Sequence, residues 1–184
     1  MIPDRRLVTL SKYLSRHLRH DPQRLGLTLE PGGWVRVADL LAAAAADGHP
    51  ITPGELAEVV ARSEKQRFAL RDEGGWIRAN QGHSVAIDLQ LSPQTPPDRL
   101  FHGTSHAALP AILEQGLQKM SRHHVHLSPD PTTARQVGMR QGSPVVLAVA
   151  AGAMAAEGWT FFCSANGVWL VDQVPPQYLQ VLGP

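Results

Sequence analysis

Two arginine–histidine pairs stand one helical turn apart in "LSRHLRHDP", Arg16-His17 and Arg19-His20. Basic side chains near the end of a helix are favoured by its dipole, so end-capping accounts for them as well as chemistry does. Farther along, "WIRANQGHS" closes a tryptophan-led strand with Arg78, Gln81, His83 and Ser84, groups that strand packing does not need. Taken singly, Arg78 reads as a solvated arginine on the outer face of a hairpin. Arg140, in "VGMRQGSPVVL", reads as a surface residue in a loop. Together they say more. A guanidinium holds phosphate oxygens by two parallel charge-assisted hydrogen bonds and stays protonated at physiological pH. An imidazole adds a donor that also moves protons near neutrality. Several arginines and one histidine around a common cavity would make a site for a reacting phosphate.

A second candidate is "LFHGTS". A strand ending in Gly-Thr-Ser before a helix would put free backbone N–H groups at a helix N-terminus, an anion site. It matches neither GxGxxG nor the Walker pattern, so neither a Rossmann fold nor a P-loop is expected. Histidines at 102, 123, 124 and 126 raise a zinc hypothesis, but no second cysteine or carboxylate sits at ligand spacing. No metal is expected.

The elements that must position these groups follow from periodicity. Leu7, Leu10, Leu14 and Leu18 fall at helical spacing, and Asp21-Pro22 stops that helix. His17 lies beside this stripe and reads as structural. "GGWVRVADLLAAAAADG" predicts a short extended piece and a second helix ending at Gly48. "ITPGELAEVVARSE" opens a third with Thr52 as N-cap, Pro53 in the first turn and Glu55 at N3. "QRFALR", "DEGG" and "WIRAN" read as strand, turn and strand, followed by a short apolar strand, "VAIDLQL". Three helices and then a hairpin is the layout of a winged-helix module. The proline-rich "SPQTPPDR" is the best boundary, giving lobes at 1–92 and 99–184 with a stiff linker at 93–98. In the second half, short strands alternate with two small helices, "HAALPAILEQGL" and "DPTTARQVGMR", and "WTFFCSANGVWLVD" is a hairpin about Asn166-Gly167. The fold class is α+β.

Composition narrows the partners. Seventeen Lys/Arg face sixteen Asp/Glu for a formal charge of +1, so a polyanion must be held by a local cluster. Residues 1–98 hold 12 basic and 12 acidic residues, and residues 99–184 hold 5 and 4. The one cysteine, Cys163, cannot form an internal disulfide, which fits a reducing cytoplasm. No opening segment reads as a secretory signal, and no apolar run approaches the roughly 20 residues a bilayer span needs. A cytoplasmic protein without a membrane partner is expected.

In order along the chain, "LSKYLSRHLRHDP", "GGWVRVADLL", "WIRANQGHS", "LFHGTS", "HVHLSPD", "VGMRQGSPVVLAV" and "NGVWLVDQVPPQYL" resemble the RNA 2′-phosphotransferase family over roughly residues 8–180. The resemblance implies an N-terminal winged-helix RNA lobe and a C-terminal, NAD-binding lobe of ADP-ribosyltransferase type. It implies removal of an internal 2′-phosphate from tRNA-like RNA, as after splicing, with NAD consumed. A 2′-phospho-ADP-ribosylated RNA is the intermediate; nicotinamide and ADP-ribose 1″,2″-cyclic phosphate are released. The family's Arg-His-Arg-Arg set falls on Arg19, His20, Arg78 and Arg140, the "LRHxP" context selecting Arg19-His20 over Arg16-His17. Lys12, Gln81, His83 and Ser84 become supporting RNA or phosphate contacts. The NAD side is carried by His102, Gly103, Thr104 and Ser105, with Gly116, Leu117, His126 and Ser128. Many ADP-ribosyltransferases carry a glutamate where "GVWLVD" has Val168, which argues against ordinary protein ADP-ribosylation. Two rivals share parts of this pattern. A mono-ADP-ribosyltransferase acting on protein or nucleic-acid ends shares the NAD lobe; a DNA-binding regulator shares the winged helix but leaves the glycine–histidine motifs without a role.

Overall fold

The computed structural model describes residues 1–183, so Pro184, the last residue of the expected second lobe, lies outside the described residues. The chain divides into two compact units, Met1–Gln90 and Leu91–Pro184. Both mix helices with small antiparallel sheets, an α+β composition.

In the first unit, α1 (Asp4–Arg19) buries Leu10, Leu14 and Leu18, three of the four leucines of its predicted stripe. His17 is buried beside them, its Nδ1 3.1 Å from the Asp21 carbonyl, as a structural histidine would be. A 3-10 turn at Pro22–Leu25 leads into β1 (Val35–Arg36), α2 (Val37–Ala46) and α3 (Pro53–Ala61). The capping box at α3 forms in both directions: Glu55 N–H donates to Thr52 Oγ1 (3.2 Å), and Thr52 N–H donates to Glu55 Oε2 (2.9 Å). Strands β2 (Phe68–Arg71) and β3 (Trp76–Ala79) complete a three-stranded antiparallel sheet in the order β1-β3-β2. Register pairs Val35 and Leu70 with Ile77, and Ala69 with Arg78. Ile77 and Ala79 thus point into the leucine core, and Trp76 and Arg78 face the other way.

The segment expected as a strand, "VAIDLQL", forms none. Its backbone bonds go elsewhere: Val85 N–H reaches the Arg19 carbonyl (3.4 Å), and the Asp88 carbonyl accepts from Gly32 N–H (2.8 Å). Val85 N–H and the Asp88 carbonyl are thereby taken by the end of α1 and the Gly32 loop and not by a neighbouring strand.

The second unit opens with residues of the expected linker. Gln94 N–H donates to the Phe161 carbonyl (2.8 Å), Gly152 N–H donates to the Asp98 carbonyl (3.0 Å), and Pro96 is buried. Then follow β4 (Leu100–Ser105), α4 (Leu109–Gln115), β5 (Leu117–Gln118), β6 (Val125–Leu127), α5 (Pro131–Gly138) and a 3-10 turn at Met139–Gln141. Beyond these lie β7 (Pro144–Val149), α6 (Ala151–Ala156), β8 (Phe162–Cys163), β9 (Trp169–Val171), β10 (Gln173–Val174) and β11 (Leu179–Val181). Helix α6 is a third helix that the alanine-rich tail of "PVVLAVAA" conceals. Three small sheets run β11-β7-β4, β6-β9-β8 and β10-β5. β7 is buried along nearly its whole length, as its unbroken apolar run requires. The β8–β9 hairpin turns at Gly167, with φ 78°.

The Gly-Thr-Ser of "LFHGTS" does not sit at a helix N-terminus. Gly103, Thr104 and Ser105 pair with Val146, Val145 and Pro144, and α4 begins only at Leu109. As an edge strand β4 gives alternate backbone groups to β7, while Phe101, of the other set, bonds Ser128. Gly103 has a packing reason instead: a Cβ there would stand 1.7 Å from the Ala134 carbonyl oxygen of α5. Only a residue without a side chain lets α5 lie so close on β4. Gly103→Ala should therefore cost more than the roughly 1–3 kcal/mol usual for overpacking, because backbone rather than a flexible side chain must move. Thermal denaturation checks this, and an unchanged melting temperature contradicts it.

Candidate functional site

The first unit gathers most of the predicted polar residues on three adjoining pieces of chain. Arg19 and His20 end α1; Arg78 lies on the outer face of β3; Asn80, Gln81, His83 and Ser84 follow β3 directly. Ser84 joins the first and last of these. Its N–H donates to the Arg19 carbonyl (2.9 Å), and its Oγ is 2.9 Å from His20 Nδ1. The Gly32-Gly33 loop joins the others: Arg78 Nη1 reaches the Gly32 carbonyl (3.4 Å), and the buried His83 ring packs on Gly33. A Cβ at Gly33 would stand 3.2 Å from His83 Nε2, so this close approach also depends on a glycine.

Arg78 is held by aromatic faces more than by hydrogen bonds. Its guanidinium carbon lies 4.8 Å from the centre of the Trp34 ring, and Arg71 covers the same ring at 4.4 Å. Arg71 also lies 5.2 Å from the Trp76 ring, and Arg36 5.4 Å from it. Arginine and indole thus alternate across the outer face of the sheet, each pairing contributing about 0.5–2 kcal/mol depending on desolvation. Burial, and secondarily the charge of Arg71, lowers the Arg78 pKa. A guanidinium remains cationic after such a shift.

Three polar atoms here are buried without a hydrogen-bond partner among the described residues: Arg78 Nε, Asn80 Oδ1 and Gln81 Oε1. Native interiors satisfy most such atoms with protein or water, and these three, on residues 78–81, are able to bond a ligand. The set holds one cationic N–H donor and two amide acceptors, which suits a ligand carrying both a phosphate and hydroxyl or base N–H groups. Asn80 is a member that spacing alone does not single out. Its Nδ2 donates to the Gln66 carbonyl (2.6 Å), which fixes the amide and leaves Oδ1 buried. Lys12 lies two turns back along α1, lining the same groove as His20.

Arg140 belongs to the second unit, exposed on the 3-10 turn after α5. The predicted residues of that unit separate into two groups. Ser128 exchanges backbone hydrogen bonds with Phe101 (2.9 and 2.7 Å), bringing the end of β6 beside His102. His102 Nδ1 lies 3.0 Å from the His126 carbonyl. A carbonyl only accepts, so the proton is on Nδ1. Burial holds the ring's pKa below the usual histidine value despite that bond, leaving a neutral imidazole with its lone pair at Nε2. Such a ring suits a sugar hydroxyl, and in this respect the group fits a ribose of NAD. His126 Nδ1 accepts from Arg122 Nη1 (3.3 Å), and Thr104 is buried in β4. Gly116 and Leu117 lie apart from these, at the C-cap of α4 and the start of β5. Leu117 is a core residue paired with Val174, and a Cβ at Gly116 would meet the Val174 carbonyl at 2.2 Å.

Among the described residues, no three His, Cys, Asp or Glu side chains gather to hold a metal ion, and no helix is long and apolar enough to cross a membrane. Cys163 is half-buried, and burial raises its pKa, as for a structural thiol.

Comparison with known proteins gives a consistent answer. Residues 5–173 match the family described as "RNA 2'-phosphotransferase, Tpt1 / KptA family". A protein of Nostoc punctiforme named "Probable RNA 2'-phosphotransferase" is 59% identical over 177 residues, covering 96% of this chain and 98% of its own. Proteins with the same name from Streptomyces griseus and Agrobacterium fabrum are 53% identical, covering 98% and 93% of this chain and 99% and 92% of theirs.

Two half-buried histidines make a pH test available. His102 and His124 both have pKa values lowered chiefly by burial, so the unfolded chain binds their protons more readily. Stability from these groups is complete above the unfolded value of about 6.5 and is lost as pH falls below it. Urea unfolding at about pH 7 and about pH 5 should show that loss, with His102→Asn reducing it and His124→Asn reducing it further. A wild-type chain equally stable at both pH values contradicts the assignment.

Proposed function

Because the chain belongs to the RNA 2′-phosphotransferase, Tpt1 / KptA family, we propose that it removes an internal 2′-phosphate from RNA with NAD as acceptor. The observation that carries this reading is the cluster of unanswered polar atoms, Arg78 Nε, Asn80 Oδ1 and Gln81 Oε1, beside the Arg19-His20 end of α1. A phosphorylated ribonucleotide supplies both what the guanidinium lacks and what the amides lack. The order of helices and hairpin, with its β1-β3-β2 sheet, supports reading the first unit as a winged-helix RNA lobe. The second unit is taken, on resemblance, as the ADP-ribosyltransferase-like NAD lobe.

NAD supplies the ribosyl carbon that accepts the phosphate, with nicotinamide as leaving group. Arg19 and Arg78 hold the 2′-phosphate oxygens and offset the repulsion between it and the dinucleotide's own phosphates. Arg140 completes the set by resemblance. As the phosphorus passes to the ribose 2″-oxygen, its bond to the RNA 2′-oxygen breaks and that oxygen takes up a proton. His20 is the group of this set able to move that proton, with Nδ1 oriented by the Ser84 hydroxyl. His102 orients a ribose hydroxyl through Nε2. Electrostatic stabilisation of the phosphoryl group is the dominant contribution of such a site. We take the protein to act in the cytoplasm.

The test is incubation with NAD and a short RNA carrying one internal 2′-phosphate. Wild-type protein should release ADP-ribose 1″,2″-cyclic phosphate. Arg19→Ala, His20→Ala, Arg78→Ala and Arg140→Ala should each lower turnover about 10²–10³-fold, the usual effect of removing one group that stabilises transition-state charge. Four variants with wild-type turnover would overturn the site assignment. A variant that accumulates 2′-phospho-ADP-ribosylated RNA assigns its residue to the second step.

A further inference from the structure

A groove of about 940 Å³ runs along the first unit beside the candidate site. One wall is a stripe of α1 in which Lys12 and Arg16 alternate with Ser11 and Ser15; the other runs from the end of α3 to the start of β2 and carries Lys65 and Arg67. Asp4 lines the end nearest the start of α1, and His20 lines the end nearest its close. The two ends differ in charge. Asp4 is matched by Arg62, which also holds Glu58 at 2.8 Å, so that end is internally neutralised. Along α1 toward His20 come Lys12 and Arg16, and the facing wall carries Lys65 and Arg67 with Glu64; Arg16 shares Asp21 at 3.6 Å on the exposed side. Five basic residues and two acidic ones line the groove, in a chain whose totals are 17 and 16. Two of the three lysines in the sequence are here. The floor is apolar, with Leu7, Val59 and Val8, whose side chain is half exposed.

Building on the phosphotransferase reading, we propose that this groove holds the RNA strand flanking the modified nucleotide. Lys12, Arg16, Lys65 and Arg67 engage successive backbone phosphates, and the apolar floor meets a ribose or base. The dimensions agree. From Lys12 to His20, α1 advances roughly 12 Å, the rise of three to four stacked nucleotides at about 3.4 Å each. A strand laid there arrives at His20, where the reacting phosphate is proposed to sit. Phosphate recognition of this kind positions the substrate without reading its sequence, so the groove would admit 2′-phosphorylated RNAs of many sequences.

Fluorescence anisotropy of the full chain with a short labelled single-stranded RNA lacking any 2′-phosphate isolates the groove from the catalytic site. Lys65→Ala/Arg67→Ala should bind more weakly, and its plot of log affinity against log salt should be shallower by about 0.7 for each phosphate no longer neutralised. Lys119→Ala, in the second unit, should match wild type, and melting temperatures establish that each variant is folded. A double variant with wild-type affinity and slope overturns the proposal. Displacement of the RNA by polyglutamate at equal charge concentration overturns it too, since the groove would then be a general polyanion surface. Because this RNA carries no reactive phosphate, the result stands whether or not turnover is detected, and the two readings fail separately.

Discussion

The alternation along Trp76–Ala79 is the constraint from which the first unit's site follows. Ile77 and Ala79 are drawn into the leucine core beneath α1, and the pleat then has no choice but to present Arg78 on the opposite face. A slip of one residue would bury the guanidinium and expose the isoleucine. The core is therefore what aims the arginine, and the Trp34 face is what holds it there while Nε has no hydrogen-bond partner among the described residues. Apolar burial and a cationic site are two sides of one strand.

The second unit fixes its polar groups differently. There the determinant is a backbone bridge, Phe101 with Ser128, that sets two histidine-bearing strands side by side. One ring is bound to the other residue's carbonyl, and burial removes its charge. A ring whose tautomer is decided in advance offers a lone pair in one direction only, which is the preorganisation that recognition of a hydroxyl needs. Close packing of β4 against α5 at Gly103 keeps that strand from shifting.

Much of this was legible in the sequence, and the parts that were not share a cause. The α1 stripe, the capping box at Thr52, the hairpin of β2 and β3 and the buried run of β7 each arise from local spacing, which a linear reading captures. Arg19 and His20 were singled out only through the family resemblance, since end-capping accounts for them equally well, whereas Arg78 and Ser84 stand in a stretch with more polar groups than strand packing uses. Asn80 was not, since its role depends on a carbonyl fourteen residues away being in reach. The glycines illustrate the limit best. Gly103 and Gly116 stand in motifs that suggest a ligand, yet each also answers to a neighbouring carbonyl that only the folded chain brings near. The failed strand at 85–91 is similar: its pattern is adequate, but Val85 N–H and the Asp88 carbonyl are engaged by Arg19 and Gly32.

An indole shared between two guanidinium groups has a bearing on how this surface can change over generations. Trp34 carries both Arg71 and Arg78, and Arg71 reaches on to Trp76. Exchanging any one of these residues disturbs the seating of at least one other, so their substitution effects should not add. Drift at Arg71, which has no proposed part in the chemistry, is thereby tied to the fate of Arg78. The four positions are free to vary only as a set.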